Sequence, residues 1–290
     1  MKKLLPVLFF VVLITSCGQN KNSDDYVVTI KTSFGEMKAI LYDETPLHKQ
    51  NFVKLVEKKY FDSLLFHRVI QGFMIQGGDP DSKKAQSGQH LGQGGPGYTI
   101  PAEINSKFFH ERGALSAARL GDAQNPKKES SGSQFYIVQG TVLKQEDLES
   151  LKINQQALMT GLGQMFQSKQ YPALFDSLNQ LYTSGDMQVY QTRLFQLAPR
   201  VEKVTGIKIS RDVNPGAAQV YTTVGGAPHL DGDYTVFGKV IKGLDVVDKI
   251  AAVQRDPSER PIEDVRMTVT IEKMSKKKIE KEFGYQYPTN

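Results

Sequence analysis

Alternating apolar and polar positions begin at Tyr26 and set the reading of the chain. Val28 and Ile30, then Met37, Ile40 and Tyr42, predict two strands joined at Ser33-Phe34-Gly35. Thr45-Pro46 has the form of an N-cap followed by proline at the first helical position, and it opens a helix to about Lys58. Leu47, Phe52, Leu55 and Val56 supply that helix's apolar face. Short strands are predicted at Gly113–Ala118, Gln134–Val138 and Thr235–Ile241, and a short helix at Leu244–Ala252. Val265, Met267, Val269 and Ile271 alternate as a last strand. Many short strands with two helices predict a mainly β protein, a closed antiparallel barrel flanked by two helices.

Two stretches depart from this pattern. From about Thr141 to Tyr221 the spacing changes to three and four residues, through Leu148, Leu151, Leu158, Leu162 and Met165, and again through Met187, Tyr190, Leu194, Leu197, Val201 and Val204. This predicts an inserted α-helical subdomain over 141–221 whose stripes pack on one another. The other is "FHRVIQGFMIQGGDP", Phe66 to Pro80. Arg68 and Gln76 are wrong for a buried strand, while Phe66, Val69, Ile70, Phe73, Met74 and Ile75 are wrong for a surface loop. Such a mixture suits a ligand pocket, an apolar floor with a few oriented polar groups. It also suits an arginine that pairs with a carboxylate such as Glu103 and turns outward. Gly72 marks a kink that would let Arg68 and Phe73 meet in one groove.

Composition narrows the chemistry. Of 290 residues 23% are charged and 39% hydrophobic, which fits a globular chain. The net charge of +5 is spread out except in Lys273 to Lys281, so residues 273–290 read as a basic, solvated C-terminal tail. No basic-aromatic stripe points to nucleic acid. HExxH, CxxC, GxSxG and P-loop motifs are missing, and His48, His67, His90, His110 and His229 have no metal-ligand spacing, so no metal or cofactor is expected. Gly92 to Gly97 does not join a strand to a helix N-terminus and reads as a tight turn.

The N-terminus is an address. Met1-Lys2-Lys3 is followed by an apolar run from Leu4 to Ile14, too short to cross a bilayer, and then by small residues. Residues 1–16 read as a secretory signal peptide. The chain's single cysteine, Cys17, sits at the cleavage point. "LITSC" resembles the lipobox of bacterial lipoproteins, in which that cysteine is lipidated. Residues 17–25 then read as a polar tether, with Asp24-Asp25 a thin version of a surface-export signal.

Residues 66–79 resemble the signature of the cyclophilin-type peptidyl-prolyl cis-trans isomerases. "GGPGYTIPAE" at 94–103, "ERGALSAAR" at 111–119, "SGSQFYI" at 131–137 and "HLDGDYTVFGKV" at 229–240 resemble further blocks of that family in the same order. The resemblance covers about 26–140 and 222–272. It implies an eight-stranded barrel over 26–272, interrupted by 141–221, which minimal members lack. It implies Arg68 as the catalytic arginine, and Phe73, Met74, Tyr136 and Leu230 as the pocket for the proline ring. Gln76 and Gln134 match groups that hold the substrate backbone, and Ala118 and Arg119 the stretch whose main chain pairs with the residue before proline. His229 stands where many members have tryptophan, and Tyr234 where many have histidine. Both changes resemble bacterial members and should weaken binding of the family's macrocyclic inhibitor. Tyr136, in a position often held by phenylalanine, adds a hydroxyl to be satisfied. The implied protein is a lipid-anchored isomerase acting on proline-containing polypeptides during folding of cell-envelope proteins, held at the outer membrane facing the periplasm or exposed at the surface. The alternative is a peptide-binding or holdase chaperone acting mainly through the helical insertion.

Overall fold

The computed structural model describes residues 24–287 except Asp212 and Asn214. The proposed signal peptide, lipidated Cys17 and most of the tether lie outside the described residues. In chain order the elements are β1 (Asp24–Thr32), β2 (Gly35–Leu41), α1 (Pro46–Glu57), β3 (Phe66–Ile70), β4 (Met74–Gly77), β5 (Thr99–Ile100), β6 (Ala114–Ala117), β7 (Ser130–Ser131) and β8 (Phe135–Val138). Then come α2 (Gln155–Gln167), α3 (Pro172–Thr183), α4 (Met187–Thr205), α5 (Ala217–Thr223), β9 (Val236–Lys242), α6 (Leu244–Ala251), β10 (Thr268–Ser275) and α7 (Lys276–Phe283).

Eight strands form one antiparallel sheet in the order β10-β1-β2-β9-β6-β8-β4-β3, and β5 pairs with β7 separately. The sheet curls around Val28, Ile30, Met37, Val69, Ile75, Leu115, Phe135, Ile137 and Val269, all buried. The flanking helices α1 and α6 add Phe52, Leu55, Val56, Val246, Val247 and Ile250 to that core. The expected closed barrel needs correction. The end strands β3 and β10 do not pair along their length; the sheet is a curled half-barrel. Its edges are stitched just ahead of both strands, at an isolated Leu65–Arg266 bridge with Phe66 N–H donating to Val265 O (2.9 Å) and Met267 N–H to Leu64 O (2.8 Å). The segments run together too briefly for a ladder.

Two boundaries of the barrel also need correction. Asp24 and Asp25 belong to β1, not to the tether, and pair with Ser275 and Met274. Asp25 is buried and accepts from Lys49 Nζ (2.6 Å) and Tyr287 OH (3.0 Å). The basic stretch after 272 completes β10 and forms α7, docked through Met274 and Ile279 on Val27 and Ile40. Its lysines face outward on an element that is itself held down.

Helices α2 to α5 lie between β8 and β9, and α2 to α4 enclose a core of their own with Leu158, Leu162, Met165, Leu178, Leu194 and Val201. The chain leaves the sheet and returns at one spot. Thr141 and Gly226 exchange backbone hydrogen bonds (3.2 and 3.0 Å), and a Cβ on Gly140 would lie 2.3 Å from Gly226 Cα.

Thr45 does precede α1, but its hydroxyl makes no cap. The first turn is capped instead by Glu103, whose carboxylate accepts from Leu47 N–H (3.0 Å), His48 N–H (2.9 Å) and His48 Nδ1 (2.6 Å). This satisfies orphan amide donors and places a negative charge at the positive helix end. It also removes Glu103 as a partner for Arg68. Glu103→Ala is expected to cost about 2 kcal/mol, read as a lower urea midpoint with the denaturant slope unchanged.

Candidate functional site

The Phe66–Pro80 mixture is resolved by strand register. Arg68 lies directly opposite Gln76 across the β3–β4 hairpin, Gln76 opposite Tyr136 on β8, and Tyr136 opposite Ser116 on β6. These four form a row on the outer face of the sheet. The next row, Val69, Ile75, Ile137 and Leu115, points into the core. An unbroken strand would put Phe66 on Arg68's face. It does not, because the register shifts between Phe66 and Arg68, where two steps on β3 oppose one on β4. This bulge at His67 lets Phe66 enter the core while Arg68 faces out. The sequence kink expected at Gly72 is instead the hairpin turn, where φ is +77° and Gly72 N–H donates to Gln139 Oε1 (2.7 Å).

Outside the row lies a cleft of about 460 Å³ lined by Arg68, Phe73, Met74, Gln76, Tyr136, Leu230 and Tyr234, with Ala118 and Arg119 at one side. Met74, Tyr136 and Leu230 are buried and packed on Ala227 and Val236, with Phe73 and Tyr234 against them. Tyr136 is held between rings, parallel to His110 (6.1 Å) and edge-on to Tyr234 (6.1 Å). Its hydroxyl is buried without a partner, and burial pushes the phenol well above its usual range. Arg68 is exposed at the rim, and Nη1 donates to Gln76 Oε1 at 3.3 Å. Among the described residues no carboxylate pairs with it, so most of its donor fork stays open toward the cleft.

Three expected contacts come out differently. Gln134 is buried and does not line the cleft. Its amide group donates to Gly92 O (3.0 Å) and Gly94 O (2.7 Å), and its oxygen accepts from Gln76 Nε2 (3.0 Å). Gln134 therefore orients Gln76 and holds the glycine loop. Ala118 has both main-chain groups engaged, N–H to Gln134 O (3.0 Å) and O from Ser131 N–H (2.8 Å), so only Arg119 offers a free main chain. The Arg119 side chain is tied to Asp233 O (2.7 Å) and Asp122 (2.7 Å) and lies 4.5 Å over the Tyr234 ring. His229 sits outside the cleft, its ring 5.0 Å from Phe73.

The sequence reading missed the other wall. Residues 88–93, of which only Gly92 and Gln93 fall in the predicted tight turn, line the cleft with His67, Asp256, Ser258 and Arg260. Buried Asp79 anchors this loop by accepting from Gly92 N–H (2.5 Å), and buried Arg260 donates to Gln86 O (2.8 Å) and Gln89 O (2.9 Å). A buried Asp just after paired glycines was the available signal for the first anchor. Nothing local in the sequence marks Arg260, more than 170 residues from the loop it holds.

The geometry offers an apolar cup beside a guanidinium, an amide and an exposed main chain. The arrangement can grip an apolar ring and donate hydrogen bonds to an electron pair at its edge.

Comparisons with known proteins agree on one family. The model for "Cyclophilin type peptidyl-prolyl cis-trans isomerase/CLD" matches residues 27–158 and 204–272, which contain every cleft residue named above. The chain is 30% identical over 244 residues to a putative bifunctional phosphatase/peptidyl-prolyl cis-trans isomerase of Streptococcus pyogenes, covering 82% of this chain but only 37% of that protein's length. It is 39% identical over 135 residues to a peptidyl-prolyl cis-trans isomerase of Synechococcus elongatus, covering 43% of this chain and 83% of the relative. A crystal structure of a cyclophilin-type isomerase from Cryptosporidium parvum shares the fold at TM-score 0.50 and 21% identity, covering 86% of this chain and 98% of that one.

His67 gives the site a pH signature. Its ring is buried with neither nitrogen hydrogen-bonded, and burial lowers its pKa to about 4, against a smaller opposing pull from Asp79. The unfolded chain takes up this proton first, so stability is full above about 6.5 and falls as pH drops toward about 4. The slope is at most about 1.4 kcal/mol per pH unit. His67→Phe should flatten this part of a stability-versus-pH curve measured by urea denaturation.

Proposed function

The chain belongs to the cyclophilin-type peptidyl-prolyl cis-trans isomerases, and on that premise we propose how its cleft acts and where. The proline ring enters the cup of Phe73, Met74, Tyr136 and Leu230, and the residue before proline pairs with the Arg119 main chain. Rotation about an X–Pro amide must break C–N resonance, behind a barrier of ~18–20 kcal/mol. At the twisted point the proline nitrogen is pyramidal and carries a lone pair. Arg68 donates to that nitrogen. It stabilises the twisted form more than either planar form, which is what acceleration requires.

The observation that carries this reading is the arginine's partnership. Arg68 is steadied by the neutral oxygen of Gln76 rather than by a carboxylate. Its charge is not cancelled, its donor fork is rigid, and the apolar wall beside it strengthens any bond it makes. Gln76, steadied in turn by Gln134, holds the substrate backbone while the other side turns. No covalent bond is made or broken, so the residues need supply only binding and one directed donor.

The envelope setting is proposed from residues 1–25. In this reading Cys17 is acylated after cleavage, and the short segment from 18 to 23 tethers β1 to an outer-membrane surface, where the substrates are proline-containing envelope polypeptides still folding.

Two measurements test these claims. Arg68→Ala should lower kcat/KM for an X–Pro peptide by about 10²–10³-fold with an unchanged melting temperature, because Arg68 is exposed. A variant as fast as the wild type would remove the arginine mechanism. Cys17→Ala should abolish metabolic fatty-acid labelling and release the protein from membranes; continued labelling would defeat the anchor.

A further inference from the structure

A second, larger depression adjoins the cleft. It encloses about 1270 Å³ between the sheet rim, at Phe73, Thr141 and His229, and one face of α4. Phe73 lines both spaces, so the two adjoin at its ring. The α4 wall is built by helical spacing: Gln188, Gln191, Thr192, Phe195 and Pro199 fall at intervals of three and four and all line the groove. Residues 159–203, which include this wall, lie outside the family match.

The chemistry of the wall selects an occupant. The side chains of Gln155, Gln188 and Gln191 form no hydrogen bond among the described residues, and each carries both a donor and an acceptor. Pro199 sits inside α4 and has no N–H, so the Phe195 carbonyl loses its usual helical donor on the same face. Charges around the groove are of both signs, with Asp147 and Glu202 against Lys152, Lys203 and Arg211. An anion or nucleic acid would call for one sign. A neutral, extended main chain, alternating donors and acceptors, matches exposed amides of this kind. From Gln188 to Lys203 the helix face runs about 22 Å at 1.5 Å per residue, which suits roughly six or seven extended residues at ~3.3 Å each.

We propose that this groove binds the polypeptide on the C-terminal side of the target proline, so that the substrates are long unfolded segments. The proposal rests on the reading of the cleft as the proline site. With the residue before proline at Arg119, on the far side of the cup, the chain after proline leaves over Phe73 and His229 into the groove.

The test compares three fluorescent peptides with the full chain: a short X–Pro peptide, one extended by about seven residues after proline, and one extended equally before it. Anisotropy should show the C-terminal extension binding about tenfold more tightly than the short peptide, about 1.4 kcal/mol, and the N-terminal extension giving no such gain. Thr192→Trp, at an exposed α4 position, should erase the gain and leave short-peptide binding and turnover unchanged. Gln188→Ala with Gln191→Ala should reduce it. Equal binding of all three peptides, a gain from the N-terminal extension alone, or a Thr192→Trp variant that keeps the full gain would overturn the proposal. Failure of the isomerase reading is separate: a wild type that binds the long peptide tightly but turns over neither peptide keeps the groove and loses the mechanism.

Discussion

A slip of one residue between β3 and β4 would turn Arg68 into the core and Val69 out of it. The site depends on this register more than on any single contact. Two features pin it. The bulge at His67 consumes the extra residue that would otherwise carry Phe66 to the outer face, and the Gly72 turn supplies a left-handed backbone that a side chain would resist. With both in place, alternation assigns each residue of the hairpin to the core or to the cleft. The same strand can then be nearly continuous in apolar residues and still present a cation to solvent.

Support for the outer row is layered. Arg68 leans on Gln76, Gln76 on Gln134, and Gln134 on the Gly92 and Gly94 carbonyls, while Asp79 fixes the same loop through its amides. The chain of bonds runs from a fully buried carboxylate to an exposed guanidinium. Each step uses up donors and acceptors that could otherwise pull Gln76 into another rotamer. Tyr136 contributes differently: it is fixed by ring packing, and its hydroxyl is left buried without a partner beside the Ser116 hydroxyl, also unpartnered. Two such groups are a local cost that the surrounding apolar contacts must offset.

Much of this was legible from residue types. The hairpin's composition singled out Arg68, Gln76, Phe73 and Met74, and the structure brings them together with Tyr136, Leu230 and Tyr234, residues singled out by family blocks distant in the chain. What sequence patterns missed was long-range. Glu103 reads as an ordinary surface acid until it is seen beneath α1, and Arg260 as another loop arginine until its two carbonyl partners are located. Gln134 reads as a substrate contact because its neighbours are. Only its hydrogen bonds show it facing the loop. At the C-terminus, lysines masked an apolar series, Met274, Ile279 and Phe283, that pins α7. A pattern-based reading weighs abundance, whereas docking depended on three side chains among many charges.

The neck at Thr141 and Gly226 bears on how the chain assembles. Strand β6 pairs with both β8 and β9, yet nearly one hundred residues separate those two partners in the sequence. Loop-closure entropy grows only as the logarithm of length, about 0.6 kcal/mol per doubling. Once the two sides of the neck meet, everything beyond it becomes a closed side loop. The sheet can then zip β9 beside β6 as if the intervening helices were absent, and those helices can settle on their own core at their own pace. In kinetic terms the neck shortens the path that the sheet's formation must search, and slow steps beyond it need not delay the strands.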